Sequence, residues 1–281
     1  MTTDIYEISH LKLVPKRHYG RMVGAAAVLL VLGLIVRAFA VGQIEWSVVA
    51  DFLTVPVILS GLVNTIVMAV LAMALGILLG VVFAIMRLSA NPVLRMTAVG
   101  YVWFFRAVPA LLQLLIWFNL ALVFPTIGIP GVFSVKTVSV MTPFMAALLG
   151  LGIQQGAFTA EVVRAGLLSV DQGQYEAAQS IGMPRLLMLR RIVMPQAMRV
   201  IVPPVGNEFI GMVKLTSLAS VIQFTEILHS AQNIYYANNR VIELLIVAAI
   251  WYLGVITILS LVQIQIERYY ARGTGQAGRA R

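Results

Sequence analysis

The chain has no cysteine in its 281 residues, so it can form neither a disulfide nor a thiolate metal or redox site. Histidine is nearly absent. His10, His18 and His229 are too scattered to suggest a metal cluster, and no metal or other cofactor is expected. No G-x4-G-K-[ST] phosphate loop occurs, which excludes the usual way of binding and hydrolysing ATP within one chain. Nor is there a nucleophile constellation, so no catalytic residue is assigned and the chain is not read as an enzyme. Charge is scarce too: 11% of residues are charged and 60% hydrophobic, whereas soluble domains carry about 25% charged residues. That balance needs a lipid bilayer around it. The net charge of +9 invites a nucleic-acid reading, but the basic residues fall at the ends of apolar runs, where the Lys/Arg bias of cytoplasmic loops explains them. No nucleic-acid partner is expected.

Taken in order, the apolar runs divide the chain. Residues 1–21 read as a cytoplasmic segment carrying Lys12, Lys16, Arg17 and Arg21, ahead of a transmembrane helix at 22–41. Ala38-Phe39-Ala40 has the A-x-A form of a cleavage site, yet Arg37 interrupts the approach, so we read an uncleaved helix. A second span, about Pro56 to Met86, holds Asn64 and Gly76-x3-Gly80; a fourth, about Thr142 to Leu168, holds Gly152-x3-Gly156, Thr159, Glu161 and Arg164. Glycines four apart allow close helix packing. Between these, Met96 to Phe124 carries Arg106, a kink at Pro109, and Gln113 on one side, facing a bundle interior or cavity. Pro125 to Met141 is an outer loop.

The fifth span, Val200 to about Phe224, is interrupted by Pro203, Pro204, Gly206 and Gly211 and carries Glu208, Lys214, Thr216 and Ser217. Broken helices at membrane depth line a cavity or are buried in protein. An outer loop with Glu226, His229 and Arg240 leads to a last span from about Glu243 to Ile266, and residues 271–281 read as a disordered basic tail. Lys and Arg number four before Met22, two at Arg87 and Arg95, five from Arg164 to Arg199 and four from Arg268 on, so 15 of 20 lie in inside segments. The fold class is an all-α membrane protein of six transmembrane helices with both termini cytoplasmic.

Substrate-path candidates are Asn64, Arg106, Gln113, Glu161, Glu208, Lys214, Thr216 and Ser217. A structural role competes at several of them. Asn64 suits a packing hydrogen bond, and Glu161 an ion pair with Arg164 three residues on. Glu208 and Lys214, six residues apart, are 120° out of alignment on an unbroken helix and do not pair directly unless the helix is broken; on a structural reading each is satisfied by another helix, for example Lys214 by Glu161, and on the path reading at least one of them meets the substrate.

One long polar stretch, Ser169 to Pro195, separates the fourth and fifth spans. Asp171 suits an N-cap, with Gln174 completing a capping box, and Gly182 supplies the left-handed residue that ends a first short helix. Pro184 restarts the chain, and a second helix from Arg185 to Met194 is closed by Pro195. Such a protrusion suits docking.

Glu176-Ala177-Ala178, Gly182, Ile192 and Pro195 stand at the spacing EAA-x3-G-x9-I-x-x-P. The stretch resembles the coupling loop of ABC importer permease subunits, with Met194 where Leu is usual. FFRAVPALLQLL, Ala157 to Gly166 and NEFIGMVKLTSLASVI are similar to segments of the polar amino-acid permeases, although Leu215 stands where those carry Asp. The resemblance implies a five-helix permease domain at 56–270, with one extra N-terminal helix and a coupling loop at 169–195. It implies a bacterial cytoplasmic-membrane location, alternating access, and three kinds of partner: cytoplasmic ATPase subunits, an extracytoplasmic amino-acid-binding protein, and a second permease subunit, self or related. An ion-gradient-driven carrier is the alternative, but it has no use for a docking hairpin, and no inverted repeat of the two halves is evident.

The charge count generates a topological expectation. Single cysteines at Lys136 and Arg240 label from outside, and ones at Asn91 and Gln174 only from inside. Outside labelling at Gln174 would end the coupling-loop reading.

Overall fold

Runs of Leu, Ile, Val and Ala long enough to satisfy their own backbone in lipid become helices, because a spanning segment finds no water to bond its amides. The computed structural model describes residues 19–129 and 132–271. Most of the expected N-terminal segment, with His10 and His18, and all but Ala271 of the expected tail lie outside the described residues. The elements are α1 (Tyr19–Val41), α2 (Trp46–Leu53), α3 (Pro56–Arg87), α4 (Pro92–Ala107), α5 (Ala110–Phe118), α6 (Leu120–Val123), β1 (Thr126–Ile129), β2 (Phe133–Lys136), α7 (Thr137–Val140), α8 (Pro143–Leu168), α9 (Gln172–Ser180), α10 (Arg185–Met188), α11 (Met194–Leu215), α12 (Ile227–Asn238) and α13 (Val241–Tyr270). A π-helical stretch, Leu189–Val193, joins α10 to α11, and a 3₁₀ stretch, Thr216–Ile222, follows α11. Five helical segments are long and apolar enough to cross a membrane, or six if the bent pair α4–α5 counts as one span.

The chain divides into two units, Met1–Trp46 and Ser47–Arg281. In the first, α1 is apolar apart from Tyr19, Arg21 and Arg37 and exposes every residue. In the second, α3 packs along α8, and both glycine pairs sit in the seam. A Cβ at Gly76 would meet the Gln155 side chain, one at Gly80 would lie 2.6 Å from Thr159 Cβ, and one at Gly152 would lie 2.7 Å from Leu75 Cδ2. The two backbones therefore approach to a distance that only glycine permits. Around the seam the core falls into three clusters: Met68, Leu114, Leu151 and Met212 at mid-depth, Ala84, Val163, Ala178 and Ala197 at the hairpin end, and Ile58, Ile227, Leu244 and Val247 at the other. The outward faces stay apolar, as with Trp103 and Leu253, which suits contact with lipid tails.

Three expectations about prolines need correction. Pro109 does not merely kink the third span, because α4 and α5 meet at 102°. Gln113 explains how so sharp a break survives: its Nε2 donates to the carbonyls of Phe105 (3.1 Å) and Val108 (2.9 Å), groups that the end of α4 leaves without helical donors. Pro203 and Pro204 do not interrupt the fifth span. The helix runs through both to Leu215, with Gln263 Nε2 of α13 donating to the Pro203 carbonyl at 2.8 Å; the irregular part is the 3₁₀ stretch, which ends at Gln223 with φ +62°. Pro195 does not close the second short helix either. It lies in the first turn of α11, just after the π-turns, whose wider spacing accommodates a ring that would otherwise clash with the carbonyl four residues back.

The outer loops are more structured than expected. Residues 126–136 contain an antiparallel hairpin, and 227–238 form α12, which buries Ile227 and Ala231. Glu226 caps α12: its carboxylate accepts from the amides of Leu228 (2.9 Å) and His229 (2.6 Å) and from Tyr252 Oη (2.7 Å). Burial holds the Glu226 carboxyl above the usual carboxylate range, and these donors offset only part of that rise.

The α3–α8 seam generates a stability prediction. Gly80→Val overpacks against the Thr159 side chain and the Ala160 backbone, and is expected to cost about 1–3 kcal/mol. Gly100→Val meets open space. A lowered melting temperature in detergent for the first and not the second confirms the seam, and equal melting refutes it.

Candidate functional site

Two places concentrate polar chemistry, the hairpin and a band of charged and amide side chains on α3, α4, α8 and α11. In the hairpin, Asp171 caps α9, its Oδ1 accepting from Gly173 N at 2.8 Å. The expected capping box is incomplete, since Gln174 Oε1 accepts from Gln196 Nε2 (3.5 Å) instead. Gly182 takes φ +73°, and the amides of Gly182 and Met183 return to the carbonyls of Gln179 and Ala178, the two bonds of a Schellman motif. Pro184 caps α10, so the two short helices meet at a fixed break.

Ala178 is buried with Met188, Val193, Val170 and Val163, and Tyr175, Met183 and Ile192 pack against that cluster. Glu176, Ala177, Gly182 and Pro195 stay exposed, as do the apolar Ile181 and Leu186, 75% and 77% accessible. One side of the hairpin is thus welded to the ends of α8 and α11. The other offers an acid, small residues and two large apolar side chains.

In the membrane band, Glu161 is a hub. Its carboxylate meets Arg87 of α3, pairs with Arg164 at 3.0 Å and lies 3.9 Å from Arg106 of α4, whose guanidinium stands 5.3 Å from the Phe158 ring. Arg87 reads in the sequence only as a marker of an inside turn, because its partner lies 74 residues further on. Glu208 of α11 accepts from Gln155 Nε2 (2.7 Å) and Thr159 Oγ1 (3.2 Å) of α8. Gln155, which is not among the sequence candidates, stands one turn before Thr159 on the same helix face.

The remaining candidates are placed as follows. Asn64 donates to the Thr225 carbonyl at 2.7 Å, and Gln113 is the cap on α4 described above. Thr216 is fully buried with its hydroxyl on the Val213 carbonyl, while Ser217 donates to the Lys214 carbonyl. Lys214 does not pair with Glu161, whose oxygens face three arginines; it is exposed and makes no ion pair among the described residues. With α11 unbroken between them, Glu208 and Lys214 face different sides, as six residues of helix require. Among the described residues no group of three His, Asp or Glu side chains could hold a metal ion.

Apolar spans that carry a charged helical hairpin at one end and an ionisable network at membrane depth define a membrane subunit of a transport system. The family model described as binding-protein-dependent transport system inner membrane component matches residues 76–271, and the chain belongs to that family as a multi-pass inner membrane protein. It is 36% identical to the arginine transport system permease protein ArgU of Corynebacterium glutamicum, over 95% of this chain and 85% of that one. The L-cystine transport system permease protein TcyB of Bacillus subtilis is 36% identical over 80% of this chain and 91% of its own. Among solved structures, an amino acid ABC transporter crystallised with histidines matches at TM-score 0.66 and 34% identity, covering 76% of this chain and 94% of that chain. The MetNI methionine ABC transporter, 18% identical at TM-score 0.56 over 75% of this chain and 92% of that one, shares the fold.

The Glu161 hub generates a double-mutant cycle. Glu161→Gln leaves three guanidiniums without their carboxylate, and Arg87→Gln in the same chain relieves part of the repulsion. The coupling between the two changes in detergent melting is expected at about 1–3 kcal/mol, and larger than for Arg106 with Glu161. Strict additivity of the Arg87 and Glu161 changes would remove the hub.

Proposed function

We propose that this chain is the permease subunit of an ATP-driven importer that moves a polar amino acid, or a close derivative, into the bacterial cytoplasm by alternating access. The hairpin carries the reading. A Schellman break at Gly182 fixes two short helices, and Glu176, Ala177 and the exposed apolar pair Ile181 and Leu186 face away from the membrane core while Ala178 and Ile192 tie the loop to α8 and α11. Such a surface fits the groove of a cytoplasmic ATPase subunit. The chain has no phosphate-loop motif, which supports an external source of ATP hydrolysis. Relatives named for arginine and L-cystine transport support an amino-acid cargo.

An extracytoplasmic binding protein would deliver the cargo, and a second permease subunit, self or related, would complete the path, since five or six helices cannot enclose one alone. Both termini lie in the cytoplasm in this reading. A free amino acid brings an ammonium and a carboxylate, and leaving either unpaired at membrane depth costs several kcal/mol. Glu208, Lys214 and Arg106 are the groups of suitable sign; Asn64, Gln113, Glu161, Thr216 and Ser217 support the path from bonds they already make.

Reconstituted vesicles holding the whole complex test both halves of the reading in one assay of uptake and ATP hydrolysis. Gly182→Val strains a left-handed position, and is expected to cut uptake at least tenfold through lost ATPase docking or uncoupled hydrolysis. Glu208→Gln is expected to change uptake or selectivity while hydrolysis persists. Wild-type uptake by the first variant would refute the coupling role; by the second, the path role.

A further inference from the structure

Between α3, α8 and the arm running from α10 into α11 lies a cavity of about 710 Å³ with an apolar wall, lined along its length by Met73, Val81, Ile85, Leu189, Met198 and Val205. On α3 the lining runs from Met73 to Ile85, about 18 Å at 1.5 Å per residue. That is close to half of a hydrocarbon core about 30 Å thick. Its deep end sits at the middle of α3. Its shallow end sits at Ile85, two residues from the end of α3, and at Leu189, so along α3 the slot is about one leaflet deep and opens beside the hairpin, while along the arm its lining runs on from Leu189 to Phe209. Arg190 and Arg191 follow Leu189 directly, and Arg199 follows Met198; all three are exposed, and none makes an ion pair among the described residues.

Thr159 is the one polar side chain in the lining, and its hydroxyl is already on Glu208, so an amino acid finds no free polar partner on such a wall. A hydrocarbon chain does, and methionines let the wall adjust to one. We propose that an anionic phospholipid of the cytoplasmic leaflet occupies this slot, with one acyl chain inside and its phosphate at the mouth against Arg190 and Arg191. Arginine forks suit phosphate oxygens, and basic residues at a membrane surface favour anionic headgroups. The leaflet follows from the hairpin facing the cytoplasm, as proposed above.

The experiment uses the whole complex in nanodiscs, with tracer phosphatidylglycerol or phosphatidylcholine carrying a photoactivatable acyl chain, and peptide mapping of the adducts. Phosphatidylglycerol adducts are expected at Val81, Met198 or Val205, in about fivefold excess over phosphatidylcholine. Unlabelled phosphatidylglycerol should compete them away. Val205→Trp, which fills the slot, should abolish them. Arg190→Gln with Arg191→Gln should bring phosphatidylglycerol labelling down to the phosphatidylcholine level; if the tryptophan variant does not fold, competition and this pair decide. Equal labelling by the two lipids, or adducts spread over the outward faces with no excess in the slot, overturns the proposal. So does a disulfide from a cysteine at Val205 to a second permease copy or to α1, which would show that protein covers the slot. Labelling is read without substrate or ATP, so failure of the transport reading would leave the lipid site standing, while outside labelling at Gln174 would move it to the other leaflet.

Discussion

The close approach of α3 and α8 is the constraint from which the interior of the second unit follows. Gly76 and Gly80 on one helix, and Gly152 and Gly156 on the other, remove the side chains that would hold the backbones apart. Lipid tails are as apolar as Leu, so association in a membrane relies on such fitted contact and on polar bonds across it. The same seam then sets the chemistry. With α8 drawn against α3, Glu161 comes within reach of Arg87, and Gln155 and Thr159 turn to meet Glu208 on α11. A looser seam would take Arg87 away from Glu161, at a depth where a lost charge partner is costly.

Two proline sites in the membrane band each have a side-chain donor brought to them. The 102° turn at Pro109 is held by Gln113, and the proline-bearing stretch of α11 receives Gln263. Breaks and prolines are tolerated at membrane depth on that condition, because freed carbonyls find no water there. Long amide side chains thus do here what loops in soluble proteins leave to solvent. This also explains why Gln113, a path candidate by position, is spent on the backbone.

Features encoded by neighbours in sequence were legible, and features encoded by distant contacts were not. The glycine pairs, the Asp171 cap and the left-handed Gly182 need only local spacing, and each has the geometry its residue type dictates. The angle at Pro109, the continuity of α11 through Pro203 and Pro204, and the arginine hub depend on groups far along the chain, so residue type alone misplaces the break or the partner. Helix α12 is legible where an outer loop is expected, since Ile227, Ala231, Ile234 and Tyr235 recur at helical spacing. In the candidate site, Arg106, Glu161 and Glu208 were visible as charges in apolar runs, whereas Arg87 and Gln155 became visible only as their partners.

The hairpin and the membrane network are joined mechanically as well as by sequence. Ala178, Met188 and Val193 share one apolar cluster with Val163 of α8 and Ala197 and Ile201 of α11. A push on the exposed face of α9 therefore cannot be absorbed within the hairpin, since its break is locked by two backbone bonds and its buried face is packed. The displacement must pass into the two helices that carry Gln155, Thr159 and Glu161 on one side and Glu208 on the other. Hydrogen bonds between amide or hydroxyl and carboxylate, unlike interlocked glycine seams, can be exchanged for others at modest cost. Within the α8–α11 contact the bonds to Glu208 are accordingly the part suited to change when the hairpin moves, whereas its hairpin end, where Gly166 admits Ile201, and the α3–α8 seam are suited to stay close-packed while they do.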